Sequence, residues 1–436
     1  MRRVGRLLVP GWVDRNFGII LAARAAMSVG RALASVVTAL YLADIGFSGL
    51  EIGALFVGVT IASALMATTI GLASDLIGRK VFLVVVPLMT AAAGLVFTGS
   101  RAAPALFVAA ALGSFGRGSG AGAGNVGPYQ PAEAAFVAES APGRHRPAAF
   151  GRIAFASSAG ALVGGLLAEL VHTTSRMTPA QATAAYRPAF IAASACAVVA
   201  GVMALLLDEP PRRTPTGSQR RRIRWPARSW PALWRFWCTN SVNGLAVGLS
   251  GPFVSYWLYR RYGASPGAIG VLFAVVNVGS LASSLAAAPA GRHLGTVRAI
   301  AAVRLLGGAL LLPMVLAPSF WLAGAIYLVR MVVQRVGMPL RQSFTQDMAH
   351  PEERSSVAAL SNLPAQATMA DSQALAGYLF DEISLASPFE LAAIFQCANA
   401  LLYVWLFSWR PPRGAPDDHA PTTAGAVAPQ PSARAS

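Results

Sequence analysis

Charge is thin in this sequence: 12% of its 436 residues are Asp, Glu, Lys or Arg, against 55% hydrophobic residues. A water-soluble chain of this length needs a polar surface that such a composition cannot supply. Lysine is almost missing, with Lys80 alone, so arginine carries the net charge of +17. That skew is read as the base composition of a GC-rich bacterial genome. The basic residues are scattered among apolar stretches, and no basic helix interleaved with aromatics exists, which excludes a nucleic-acid partner. Cysteine is equally sparse. Cys196, Cys238 and Cys397 fall within apolar stretches and form no CxxC pair, so no disulfide framework is expected. Of the five histidines, His172 sits at the end of an apolar stretch and the rest fall in polar connections or the tail. No HExxH, paired-carboxylate or Ser/His/Asp arrangement occurs, so no enzyme is expected, and no metal or cofactor. The absence of a G-x-x-x-x-G-K-[ST] loop argues against energy from ATP on this chain.

What the sequence does hold is long apolar runs. Each near twenty residues can cross a hydrocarbon core of roughly 30 Å as a helix. Twelve are expected, near 17–42, 50–72, 81–100, 104–125, 149–172 and 187–207, then 234–258, 267–289, 298–316, 319–345, 355–380 and 388–408. The basic N-terminus has no small-residue cleavage site after a short apolar core, so the first run is read as a span. The predicted fold is an all-α integral membrane protein, twelve transmembrane helices in two pseudo-symmetric six-helix bundles. The bundles cover 17–207 and 231–410, with a polar, Pro-rich linker at 208–230, an N-terminal segment at 1–16 and a tail at 411–436 with the composition of disorder.

Counting Lys and Arg sets the expected orientation. With both termini inside, 21 of the 35 basic residues lie on the cytoplasmic side, five on the outer side and nine within spans. The halves also repeat. Gly46, Gly53 and Gly78 recur as Gly263, Gly270 and Gly295, each 217 residues on, and Ser48 recurs as Ser265, both placed as helix N-caps. Parallel repeats related by an axis along the membrane normal are a transporter architecture.

The sharpest motif is Gly71-Leu-Ala-Ser-Asp75-Leu-Ile-Gly78-Arg79-Lys80, between spans 2 and 3. It resembles the signature loop of the major facilitator superfamily, G-x-x-x-D-x-x-G-R-K/R. The resemblance implies that Gly71, Asp75, Gly78, Arg79 and Lys80 gate the inward face. A weaker copy, Ala288 to Arg298, has Arg292 where Asp75 stands. In span 4, Gly116 to Gly124 with Arg117 resembles the arginine-containing motif of proton-coupled members, with Gly120 at a position usually held by Gln. In span 5, Gly160, Gly164 and Gly165 resemble an element of the antiporter branch, with Ala161 in place of its proline. Both glycine runs equally fit close helix packing.

Charged residues inside spans tend to face a cavity or a partner. Arg24, Ser28, Arg31, Ser35 and Thr38 follow helical spacing on span 1. Span 7 adds Asn240, Asn243, Ser250 and Tyr256, and span 10 adds Arg330, Gln334, Arg335 and Arg341. The family resemblance implies that spans 1, 4, 7 and 10 line a central cavity. The expected substrate ligands are therefore Arg24, Ser28, Arg31, Arg117, Asn240, Asn243, Arg330 and Gln334. Snorkelling or a purely structural bond to backbone stays open for each arginine. Asp371 is the carboxyl placed well inside a span, a candidate proton carrier or arginine partner, on the face opposite Asn362, Gln366 and Gln373. Asp44, Glu51, Glu169, Asp381 and Glu382 fall near outer ends, and Glu133 and Glu139 near the inner end of span 4.

The reading is a secondary transporter in a bacterial inner membrane, working as a monomer by alternating access. A small, anionic solute and protons are its expected partners, and efflux a possible direction by resemblance. The alternative is a transporter-like sensor or assembly factor that binds a ligand or partner without turnover.

Overall fold

The computed structural model describes residues 14–115, 127–140, 146–171, 177–208, 227–283 and 294–408, apart from 351, 352, 354–356, 358 and 359. Within these, the N-terminal half holds α1 (Arg15–Asp44), α2 (Gly49–Ile77), α3 (Arg79–Phe97), α4 (Ala103–Gly113), α5 (Gln130–Ser140), α6 (Arg146–Leu166) and α7 (Pro179–Leu205). The C-terminal half holds α8 (Trp230–Ser250), α9 (Val254–Tyr262), α10 (Pro266–Ser283), α11 (Thr296–Ala309), α12 (Leu311–Leu316), α13 (Phe320–Met348), α14 (Leu363–Glu382) and α15 (Ser387–Phe407). Among the described residues, eight helices are long and apolar enough to cross a membrane, and two shorter apolar ones add to them. Taking α4 with α5, α8 with α9 and α11 with α12 as interrupted spans, the fold is the expected one of twelve spans, six in each half.

The interruptions are where the structure departs from the sequence reading. Span 4 was expected as one helix over 104–125, with a polar connection after it. Instead α4 stops at Gly113, Ser114 turns left-handed at φ 50, and a further helix, α5, occupies Gln130–Ser140. Span 7 breaks at Gly251 and Pro252, where proline has no N–H to continue the ladder, and restarts as α9. Span 11 is described as a helix from Leu363.

Small residues set the packing, since lipid offers no hydrophobic drive between helices. A Cβ on Gly30 of α1 would come 2.7 Å from Ala193 O of α7. Gly160 and Gly164 of α6 pack directly on the α1 backbone at Ala25 and Val29. The repeat glycines fall into two physical classes. Gly46, Gly78, Gly263 and Gly295 all have positive φ, between 62 and 115°, a region that disfavours any Cβ. Gly78 is thereby the single residue joining α2 to α3. Gly53 and Gly270 instead lie where the halves cross: a Cβ on Gly53 would sit 2.6 Å from Gln373 O, and Gly165 would meet Gly270 O at 2.6 Å.

The halves are not joined evenly. Arg15 pairs with Asp208, so α1 starts beside the end of α7, and this end of the molecule is here the termini end. At the opposite, distal end one apolar cluster includes residues of both halves, among them Tyr41, Phe56, Phe253 and Phe380. Nearer the termini end the clusters separate by half. Phe17, Phe136 and Leu207 belong to one, Phe236, Phe344 and Phe407 to another. Among the described residues, the apolar cluster shared by both halves thus lies distally, and the clusters nearer the termini end each belong to one half.

Candidate functional site

The polar stripe of α1 is buried and points into its own half. Arg24 Nη1 donates to Glu133 Oε2 at 2.8 Å and to the Tyr129 hydroxyl at 3.3 Å, with both charged side chains about 5% exposed. Tyr129 also places its ring 5.8 Å from the Arg24 guanidinium carbon. The three line a small pocket with Leu83, Pro87 and Ala200. Ser28 shares a hydrogen bond with Ser157 of α6 at 2.9 Å.

Arg31 is different. It is 4% exposed, and among the described residues its one hydrogen bond is a long donation from Nη2 to Ser114 Oγ, 3.5 Å. Its Nε and Nη1 are buried without a partner. Ser114 in turn lies 2.6 Å from the Ser63 hydroxyl. Arg31 therefore stands halfway along α1, against the place where span 4 leaves helical geometry. Gly127 flanks it on the far side of that break, 3.2 Å from Nη1 to an added Cβ.

The C-terminal half builds its polar centre from amides. Asn240 accepts from Arg341 Nη1 at 3.2 Å and donates to Ser361 O at 2.7 Å. Asn243 accepts from Arg304 Nη1 at 2.8 Å, which also donates to Asn399 at 2.5 Å, over the Tyr403 ring. Asn399 in turn donates to Thr239 O. Arg330 Nε donates to Gly307 O at 3.1 Å, and the Gln334 side chain lies against the same glycine. The bonds of Arg24, Arg31, Arg304, Arg330 and Arg341 given above all fall within the arginine's own half. Arg117 lies outside the described residues. So do Arg292 and the region 209–226.

Arg304, Asn399, Glu133 and Tyr129 were not among the expected ligands. An arginine inside an apolar run was a visible signal for Arg304, but span 9 was not expected to line the cavity. The pairing of Glu133 with Arg24, 109 residues apart, had no sequence signal at all. Asp371 is exposed, on the α14 stripe that carries the exposed Leu375 and Tyr378. Thr368 and Ser372 of the same helix face α8, and Gln373 and Gly377 face α2, so Asp371 points away from both. Of Gly71 and Asp75 the structure describes only their place in α2.

Comparison with known proteins agrees with this architecture. The family model of the Major Facilitator Superfamily matches residues 20–241 and 236–433. No curated protein sequence matches the chain. Among solved structures it is similar to the nucleoside transporter NupG, at TM-score 0.68 and 12% identity, covering 91% of this chain and 100% of that one. A bacterial homolog of the human lysosomal transporter Spinster, in an inward-facing and unoccupied conformation, gives 0.66 and 13%, covering 92% and 96%. A D-xylose–proton symporter gives 0.67 and 14%, covering 91% and 98%. With most of its length matched by the family model, this membrane chain belongs to the Major Facilitator Superfamily and is a solute transporter, not an enzyme.

Proposed function

We propose that the protein carries a small anionic solute across a bacterial inner membrane by alternating access, coupled to protons. Arg31 carries the reading. A guanidinium buried at mid-membrane, with two nitrogens unpartnered among the described residues, is stabilised by water or by an anion. Irregular backbone at membrane depth survives only against protein or a wet cavity, and interrupted spans near the midplane are where secondary transporters bind substrate. Both features meet at Ser114. The charge balance points the same way: Arg24, Arg31, Arg304 and Arg330 are buried, against Glu133 as the one buried carboxylate among the described residues. Arg117, Ser28, Asn240, Asn243, Arg330 and Gln334 complete the proposed lining, and Gly71 to Lys80 the proposed inner gate.

In this reading Glu133, not Asp371, carries the proton. A proton on Glu133 removes the counter-charge of Arg24, and an entering anion can replace it, which ties proton uptake to solute binding. Arg31→Gln keeps polarity and most of the length. It is expected to weaken binding at least tenfold for a carboxylate or phosphate solute found by thermal-shift screening, with the folded protein retained. A preferred solute that is cationic, or unchanged affinity in the variant, sinks the anion reading while leaving the transporter.

The termini end is proposed to be cytoplasmic, because 21 of 35 basic residues fall on that side of the predicted topology. Cysteines placed at Ser218 and Ser432 should then resist impermeant thiol reagents in intact cells. The background must lack Cys196, Cys238 and Cys397, since Cys238 is itself exposed. Labelling of both sites from outside would reverse the orientation.

A further inference from the structure

The first turn of a helix leaves backbone N–H groups without intrahelical partners. At the start of α2, each of four consecutive N–H groups is satisfied, and the two halves share the task. Ser48 N donates to the Glu51 carboxylate at 2.9 Å, and Glu51 N donates to Ser48 Oγ at 3.1 Å, a reciprocal box within the N-terminal half. Between them, Gly49 N and Leu50 N donate to Oδ1 and Oδ2 of Asp381 at 2.8 and 2.7 Å. Asp381 belongs to the last turn of α14, in the other half.

The repeat-related site shares its outline, with a serine at the helix start and a carboxyl of the opposite half against it. At the start of α10, Ala268 N donates to Ser265 Oγ at 3.2 Å, and Pro266 has no N–H to satisfy. At the remaining position the Glu169 carboxyl packs against Gly267, with both oxygens within 2.6 Å of where a Cβ would stand. Glu169 lies just after α6, again in the opposite half. A third carboxylate, Asp44 at the end of α1, accepts from Tyr186 of its own half at 2.8 Å and from Tyr259 of the other at 2.6 Å.

We propose that Asp381, Glu169 and Asp44 are the latch of the distal gate. Asp381 lends its carboxylate to the N–H groups at the start of α2 in the opposite half, and Glu169 sets its carboxyl against the first turn of α10. The first turn of α2 is therefore fully hydrogen-bonded by protein, and that of α10 packed under a carboxyl of the opposite half, only while the distal mouth is shut. Asp381 and Glu169 are exposed at that mouth. On opening, carboxylates and N–H groups alike pass to water, so the latch releases without stranding a buried polar group. Backbone donors at a helix start also favour negative charge, so carboxylates serve better than amides. The glycines beneath, Gly53 and Gly377 on one side and Gly165 and Gly270 on the other, let the backbones come near enough for the carboxylates to reach.

The proposal rests on the alternating-access reading, and the test separates the two. Spin labels at Ala102 and Ile383, exposed at the distal end of opposite halves, report the width of the mouth in purified, detergent-folded protein. Asp381→Ala or Glu169→Ala alone should raise the ratio of distal-open to distal-closed molecules roughly two- to fivefold, and both together about tenfold. Asp381→Asn, which keeps one accepting oxygen, should fall between wild type and Asp381→Ala. Asp44→Asn serves where the double variant fails to fold. Gly270→Ala, which forces the crossing apart without touching a carboxylate, is the control. If it widens the mouth while the carboxylate variants leave the distances unchanged, the latch is wrong and alternating access stands. If no variant yields a distal-open population, both fall.

Discussion

Glu133→Gln is expected to lower the unfolding temperature of the detergent-solubilised protein more than any other single polar substitution. Glu133 faces Arg24 at 2.8 Å, with both side chains near 5% exposure. Removing one partner of such a buried pair costs about 3–5 kcal/mol. Tyr129 offers Arg24 a hydroxyl and a ring, which soften the loss without balancing the charge. The second arm of the experiment is the double variant Arg24→Met, Glu133→Gln. It removes both charges and keeps similar volumes, so most of the lost stability should return, because burying a pair is itself costly. Equal unfolding temperatures for wild type and Glu133→Gln would show that Arg24 is satisfied some other way. The proton-coupled reading would then lose its switch.

The second large effect is expected at the crossing of the halves. Gly53→Ala together with Gly270→Ala places a methyl group against backbone on both sides of the interface, at 2.6 Å from Gln373 O in the first case. Overpacking of this kind costs about 1–3 kcal/mol per site. A shift of that size moves a two-state equilibrium by about tenfold or more against the closed form, since every 1.4 kcal/mol is a factor of ten. Solute exchange in proteoliposomes should therefore fall at least tenfold while the protein remains monodisperse. Gly58→Ala, on the same helix but with nothing within 4 Å, controls for the gain in helix propensity and should leave exchange unchanged. Normal exchange in the double variant would mean that close backbone approach is dispensable for the cycle.

Both expectations concern contacts between residues far apart in the chain, and there the sequence was least informative. Gly46, Gly53 and Gly78 with their repeats at Gly263, Gly270 and Gly295 could be found by register. What each does could not. Four adopt positive φ at helix ends, a local need of the backbone, while Gly53 and Gly270 exist for a neighbour that only folding brings up. The stripe of Arg24, Ser28 and Arg31 on one face of α1 was legible from helical spacing. That Ser28 meets Ser157, Arg24 meets Glu133 and Arg31 meets Ser114 at a broken helix was not. For Asp371, spacing gave its face relative to Gln366 and Gln373, and the structure supplied what that face looks at.

The sequence by itself determined the class of molecule: an all-helical membrane protein of duplicated halves, resembling one transporter superfamily. Length, hydropathy and repeat register are properties of single segments, and the bilayer imposes one rule on all of them, that backbone polar groups be satisfied within the span. Only the tertiary structure decided which arginines are compensated, where span 4 breaks, and that Asp381 and Glu169 reach across to α2 and α10. These follow from how helices without a hydrophobic drive between them settle against small residues and stray hydrogen-bond donors. Such matching depends on the shape and chemistry of two surfaces at once, and neither surface is written in the spacing of the other.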